Sequence, residues 1–388
     1  MKGAVLCALC VASFGSLNSY ASVSSVSSNR AIEDIGDVSD ASNSKSDVIQ
    51  KEETAGDIES ESGVMDLVAE SRSESAHGRD YGFSLSLSHS FGAGTFLAGQ
   101  EFDYARYISQ TWTLGGNYAL SIAGHRLALA LRWSFDLVLT IPNTNPARHF
   151  DPYDLQLSVS DPKLWTIPLL EADVSAGLTF FLPISYASRQ VTQRWLAMRL
   201  ALGVNRRLGA LNVSYGLSLR RSFNGSMVTV QTRSLGRGSD PVPTGQGSIA
   251  FGSGYANTEW ELQNSFAFDF SFLERWSLSY SIGLLHIFKY TIHPEVDQYT
   301  SIHAQAGFQN SADVWSSGLE LGYGFGKDLE RIWNVPLNAS LALGVASFHP
   351  AMENDNRNFI PPVIFNAFWS DKAANNYGSV YFRVAGSY

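Results

Sequence analysis

Residues 127–139 read LALALRWSFDLVL. Leu127, Leu129, Leu131, Trp133, Phe135, Leu137 and Leu139 share one face. Ala128, Ala130, Arg132, Ser134 and Asp136 share the other. Side chains of a strand point alternately to its two sides, so this two-residue period describes a strand with one apolar face and one small or charged face.

The pattern recurs on both sides of this segment. Tyr81, Phe83, Leu85 and Leu87 alternate with Gly82, Ser84, Ser86 and Ser88. Phe266, Phe268, Phe270 and Phe272 alternate with Ala267, Asp269 and Ser271. Leu319, Leu321, Tyr323 and Phe325 alternate with Glu320, Gly322 and Gly324. The period predicts twelve strands, at 81–91, 103–122, 127–140, 153–160, 171–183, 194–205, 211–223, 258–273, 276–291, 312–326, 337–348 and 377–388. Most are longer than soluble strands, which peak near five or six residues. Their links alternate between tight turns, as at 123–126, 206–210 and 274–275, and long segments, as at 141–152, 224–257, 291–311 and 349–376. The links 161–170 and 327–336 are of intermediate length. A soluble sandwich also alternates, but long strands with short and long links in turn describe an up-and-down barrel with turns on one rim and loops on the other. Trp112, Tyr118, Trp133, Trp260, Trp276 and Trp315 lie on the apolar faces near strand ends, where aromatic girdles meet membrane interfaces. The predicted fold for 81–388 is all-β, a transmembrane antiparallel up-and-down β-barrel of about 12 strands.

The preceding residues have another texture. Lys2, the apolar run Ala4 to Gly15 and the small residues Ser19 and Ala21 around Tyr20 predict an export signal over 1–21. Residues 22–80 hold 14 serines and 14 acidic side chains against five basic ones, with no proline and no aromatic residue. Such a chain buries too little apolar surface to offset its ordering entropy, so a disordered acidic tail is expected there. The tail carries a net −9 and accounts for the acidity of the whole chain, also −9. No basic stripe points to a nucleic-acid partner. Cys7 and Cys10 are the two cysteines, so no disulfide framework or cysteine zinc site is expected in the barrel. No run after residue 21 approaches the ~18 apolar residues of a spanning helix.

Val380, Phe382, Val384, Gly386 and Tyr388 fall on one face of the final strand. This resembles the closing strand of Gram-negative outer-membrane barrels, with Phe382, Val384 and Tyr388 matching the assembly signal. Gly386 departs from the pattern, in which a larger apolar residue is usual. The resemblance implies recognition by the barrel-assembly machinery, a location in the cell outer membrane among its lipids, and a tail in the periplasm. The stretch 154–162, DLQLSVSDP, also resembles uncharacterised porin-like barrels of predatory and social Gram-negative bacteria.

With the apolar faces turned to lipid, Arg132, Asp136, Asp154, Glu171, Asp173, Arg199, Arg220, Glu259, Glu261, Asp269, Lys289, Glu320 and Arg383 turn inward. Charge in a dry interior is costly unless paired, so this set implies a wet pore or a salt-bridged core. Twelve strands give a backbone diameter of roughly 20 Å, which leaves room for small solutes. The function expected is a monomeric channel or transporter for small solutes. A closed barrel that displays its loops is the alternative, and a rim-site hydrolase comes third. His89 and His286 face outward by register without a serine two residues away, the spacing used by outer-membrane phospholipases. The rim pairs His149 with Asp151 and His349 with Glu353 have residue types common in loops. The chain is therefore expected not to be an enzyme and to hold no metal or cofactor. The apolar link 359–369, FIPPVIFNAFW, either folds into the mouth or lies on the rim. A chain beginning near residue 78 should insert into membranes and melt close to the full chain; a large loss of melting temperature would show that the tail packs inside the barrel.

Overall fold

A computed structural model describes residues 80–92, 108–122, 125–139, 150–234, 248–291, 311–333, 337–351 and 378–388. The signal segment, the tail up to residue 79 and the link 359–369 lie outside the described residues, as do the first five residues expected in the second strand.

Strand β1 (Tyr81–Gly92) pairs with β2 (Ile108–Ile122), which pairs with β3 (His125–Val138). Next come the short β4 (Phe150–Pro152) and β5 (Leu155–Ile167), both paired with β3. They form one broken stave of the wall. The wall continues through β6 (Ala172–Leu182), β7 (Arg194–Leu208) and β8 (Leu211–Asn224). A hairpin of β9 (Val228–Ser234) and β10 (Ser248–Ala256) stands apart as its own two-stranded sheet. The wall resumes with β11 (Thr258–Phe272), which pairs directly with β8. It ends with β12 (Trp276–Lys289), β13 (Ser311–Gly324), β14 (Asn338–Pro350) and β15 (Gly378–Ser387). Antiparallel pairing of β15 with β1 closes twelve staves into a ring. Phe83 and Tyr388 exchange two backbone hydrogen bonds of 3.1 Å at this seam.

Two differences from the sequence reading have local causes. The fourth stave runs on to Ile167 instead of stopping at 160. Its pairing with β6 slips between Asp161 and Trp165, around Pro162, which has no N–H to give to the ladder. The alternation is broken there although the strand is not. The link after β13 holds a helix, α1 (Gly326–Trp333). Its Asp328 is tied to Arg275 in the adjacent turn at 2.6 Å. The turn after β11 holds Leu273 and Glu274 in left-handed backbone, at φ 49° and 60°, a geometry that matches strand twist in tight hairpins but is usually given to Gly or Asn.

The two faces of the wall differ as the alternation requires. Phe83, Trp165, Leu202, Phe266 and Leu343 are exposed on the outside, while Ser88, Ser90, Thr111, Ser218 and Ala385 are buried inside. One inner contact depends on a missing side chain. The Tyr381 ring lies across Gly344 on the neighbouring strand, where a Cβ would overlap the ring. In that position its hydroxyl donates to Glu320 one strand further on, at 2.8 Å. Gly344→Val should displace the ring, cost about 1–3 kcal/mol through overpacking, and lower the temperature at which the barrel's heat-modifiable gel band is lost.

Candidate functional site

Small residues leave space on the inner face, and charged residues fill parts of it in pairs. Arg199 on β7 stands directly opposite Arg220 on β8, and Arg220 stands opposite Glu261 on β11. Arg220 Nη1 lies 3.3 Å from Glu261 Oε2, with both side chains buried. The Phe181 ring from β6 lies under both guanidinium groups, 4.4 Å from Arg220 and 5.1 Å from Arg199. Like charges in direct register repel. The carboxylate and the ring's negative face offset part of that repulsion.

A second group joins β13 to β15, where Arg383 Nη2 and the Tyr381 hydroxyl both donate to Glu320. Asp136 is buried on β3 and accepts from Tyr153 Oη at 2.9 Å. Asp173 accepts from Thr166 Oγ1 at 2.6 Å and pairs with Lys163 at 2.9 Å. Asp269 accepts from Ser279 Oγ at 2.7 Å. Arg132 and Lys289 are half-buried on inward-facing positions.

Burial is uneven along the axis. In the half of the wall nearest the long links, Ser86, Ser90, Thr179, Arg199, Arg220 and Glu261 are all buried. Toward the tight turns, Asn117, Asp173, Asn205, Asn212, Asp269 and Ser279 are half-exposed. The inner face thus opens toward the turn rim and closes toward the loop rim.

Two residues expected on the inner wall stand elsewhere. Glu171 is exposed in the turn before β6, with φ 47°. Alternation was extended past the end of the strand, where it no longer applies. Glu259 sits at a register shift between Thr258 and Trp260. The extra residue turns its carboxylate to Arg221 on the outer face, at 3.0 Å. A bulge inverts the facing of a residue, and period counting does not register it.

The tightest polar cluster ties down a long link. Asp154, in the break between β4 and β5, accepts backbone hydrogen bonds from Ile184 and Ser185 at 3.1 and 3.0 Å. It also accepts from Ser188 Oγ at 2.5 Å and faces Arg194 Nη1 at 3.3 Å. Both charged side chains are at most 3% exposed. Residues 187–191 form one π-helical turn beside this carboxylate. Asn257 continues the anchorage, donating through Nδ2 to the carbonyls of Ser226 and Val228 at 2.9 and 3.1 Å, with Thr192 O at 3.2 Å. Asp154 was legible as an inward acid, but Arg194, forty residues later, was not legible as its partner.

Outward histidines also have partners. His286 Nδ1 lies 2.7 Å from Asp313 Oδ1 across β12 and β13, and His125 Nδ1 lies 2.7 Å from Asp161. His89 Nδ1 lies 3.3 Å from Gln110 Nε2. Among the described residues no group of three or more His, Cys, Asp or Glu side chains is placed to hold a metal ion. His149 and Glu353 lie outside the described residues.

No protein-family model matches this chain, and no curated protein sequence matches it. Solved structures do match in fold. An outer membrane channel from Pseudomonas putida F1, titled COG4313, aligns over 79% of this chain and 95% of its own, at 9% identity and a TM-score of 0.45. The translocator domain of the autotransporter NalP from Neisseria meningitidis aligns over 84% and 93%, at 12% identity and a TM-score of 0.28. LpxR from Salmonella typhimurium aligns over 79% and 99%, at 10% identity and a TM-score of 0.32.

A closed ring of twelve antiparallel strands with an apolar outside and a polar inside defines a transmembrane β-barrel. This protein is a barrel of the outer-membrane type. The expectation that it is not an enzyme is corrected, since a barrel of this type is compatible with catalysis as well as with transport. The architecture is no ground for excluding catalysis, and at such identities the likeness is no ground for asserting it.

Removing one side of a buried ion pair costs about 3–5 kcal/mol. Asp154→Asn should therefore lower the melting temperature markedly. Glu259→Gln, at a half-exposed pair, should change stability by about 1 kcal/mol or less. Thermal melting of the two variants side by side checks the contrast.

Proposed function

We propose that the barrel is an outer-membrane channel passing small solutes through a mixed-charge lumen. Residues 1–21 then serve as the export signal of a Gram-negative protein, and residues 22–80 form a periplasmic tail. The channel acts as a monomer. The barrel-assembly machinery recognises its last strand through Phe382, Val384 and Tyr388.

The observation that carries this reading is the chemistry of the inner face. A dry core is built from apolar side chains, because an uncompensated charge there costs several kcal/mol. Most of this wall instead presents serine, threonine, glycine, asparagine and charged residues, half-exposed toward the turn rim, with one apolar patch of Leu285, Ile287 and Val314 toward the loop rim. The layer of Phe181, Arg199, Arg220 and Glu261 lies deeper, within the buried loop-rim half. Arginine side chains along a path favour anions, while Asp173 and Asp269 at the open end draw cations.

A closed barrel acting as a surface scaffold is the second reading, and one observation favours it. The inner side chains of the loop-rim half are almost all buried, Ser90 and Ser222 to within 1%.

Single-channel recording of the purified barrel in a planar bilayer separates the two. A channel gives discrete conductance steps. Asp269→Asn should then shift the reversal potential toward anions in a barrel that still folds, since asparagine keeps the size of the side chain and can still accept from Ser279. Absence of conductance in both proteins, each correctly folded, would reject the channel and leave the scaffold.

A further inference from the structure

The outer face of the wall is interrupted by charge at the loop-rim end of β7, β8 and β11. Arg221 faces outward three residues before β8 ends, opposite Met198 on one side and Trp260 on the other. Its guanidinium carbon lies 4.4 Å from the Trp260 ring centroid and 5.5 Å from that of Phe223. Glu259 holds one of its nitrogens at 3.0 Å.

Two bulges flank this end of β8. The β7–β8 ladder slips between Arg194 and Leu196, and the β11–β12 ladder slips between Thr258 and Trp260. Each slip inserts one residue beside the end of β8, Trp195 on one side and Glu259 on the other. Trp195 projects from the wall and is 75% exposed. Bulges re-aim side chains: the one at Glu259 brings a carboxylate to the cation, and the one at Trp195 sets an exposed indole beside Gly225 at the end of β8.

A cation on the lipid-facing side of a barrel costs about 2–4 kcal/mol at the bilayer midplane and about 0–1 near the interfaces. Phe223, Trp195 and Phe288 are exposed at this height, as an interfacial aromatic girdle requires. That is the depth at which lipid phosphates lie. Guanidinium has five N–H donors in a planar fork suited to phosphate, and Glu259 takes one of them. The Arg221 side chain remains 36% exposed.

We propose that Arg221, framed by Phe223 and Trp260, binds the phosphate of a membrane lipid headgroup at the loop rim. Glu259 orients the guanidinium, and the aromatic rings pack against the lipid below its headgroup. The site lies on the outer wall and does not depend on whether the lumen conducts.

The test is native mass spectrometry of the detergent-purified barrel with added phosphatidylglycerol. Diacylglycerol with the same acyl chains serves as the phosphate-free probe, and inorganic phosphate serves as a competitor. The wild-type barrel should retain phosphatidylglycerol and not diacylglycerol, and equimolar inorganic phosphate should not displace the lipid. Arg221→Gln should lower retention about tenfold, the scale of one lost charge-assisted hydrogen bond. Equal retention by Arg221→Gln would overturn the proposal, as would equal retention of diacylglycerol. Displacement by inorganic phosphate would overturn the lipid as ligand. Should Arg221→Gln not fold, as judged by its heat-modifiable gel mobility, Trp260→Ala decides. It keeps the charge and removes the frame, so reduced retention supports the site and unchanged retention overturns it.

Discussion

A peptide group without a hydrogen-bond partner is too costly in hydrocarbon for a sheet edge to remain open there. Every stave of this barrel therefore needs a neighbour on both sides, and the requirement is met at the seam between β15 and β1. The register there runs from Ser84 against Ser387 to Gly92 against Ser379. It is extended by the two backbone hydrogen bonds between Phe83 and Tyr388. Once that seam is closed, the facing of most side chains follows from alternation alone. The apolar side meets lipid, and the small and charged side meets the interior.

The interior then has an electrostatic problem that single residues do not solve. Arg199 and Arg220 are in register and repel each other, while Phe181 and Glu261 supply opposing attraction. Glu320 takes donors from both Arg383 and Tyr381, and the tyrosine reaches it only because Gly344 leaves room beneath the ring. These groups stiffen the wall by joining strands side chain to side chain as well as through the backbone. Burial separates the inner face into a closed half near the loops and a more open half near the turns. Under the proposed channel reading, a solute entering from the turn rim would meet carboxylates first and arginines later.

At the loop rim the controlling interactions are hydrogen bonds to backbone. Asp154 gathers two amides, a hydroxyl and an arginine around a carboxylate buried in a break of the wall. Asn257 does comparable work at the base of the β9–β10 hairpin through three carbonyls. Buried polar groups are stable only when satisfied. Each of these residues therefore holds a long connection in one place, and together they fasten residues 184–192 to the neighbouring rim.

Strand number, strand order along the chain, the turn rim and the apolar face were all legible in the sequence. They rest on local rules: a two-residue period, link length, and the unequal chemistry of Leu127 to Leu139 on its two sides. Phe181 was not read as an inner residue, because an aromatic side chain among Thr179 and Gly177 does not show that two arginines will lie over it. Glu259 and Glu171 were misplaced for a related reason, since a bulge or a turn resets the period without a residue type that announces it. Partnerships such as Asp154 with Arg194, or Arg221 with Glu259, were decided only by tertiary structure. The sequence by itself determined which residues alternate, because that depends on covalent geometry repeated along one strand. Ring closure and register determined which charges meet, because those distances depend on how strands far apart in the chain are brought side by side.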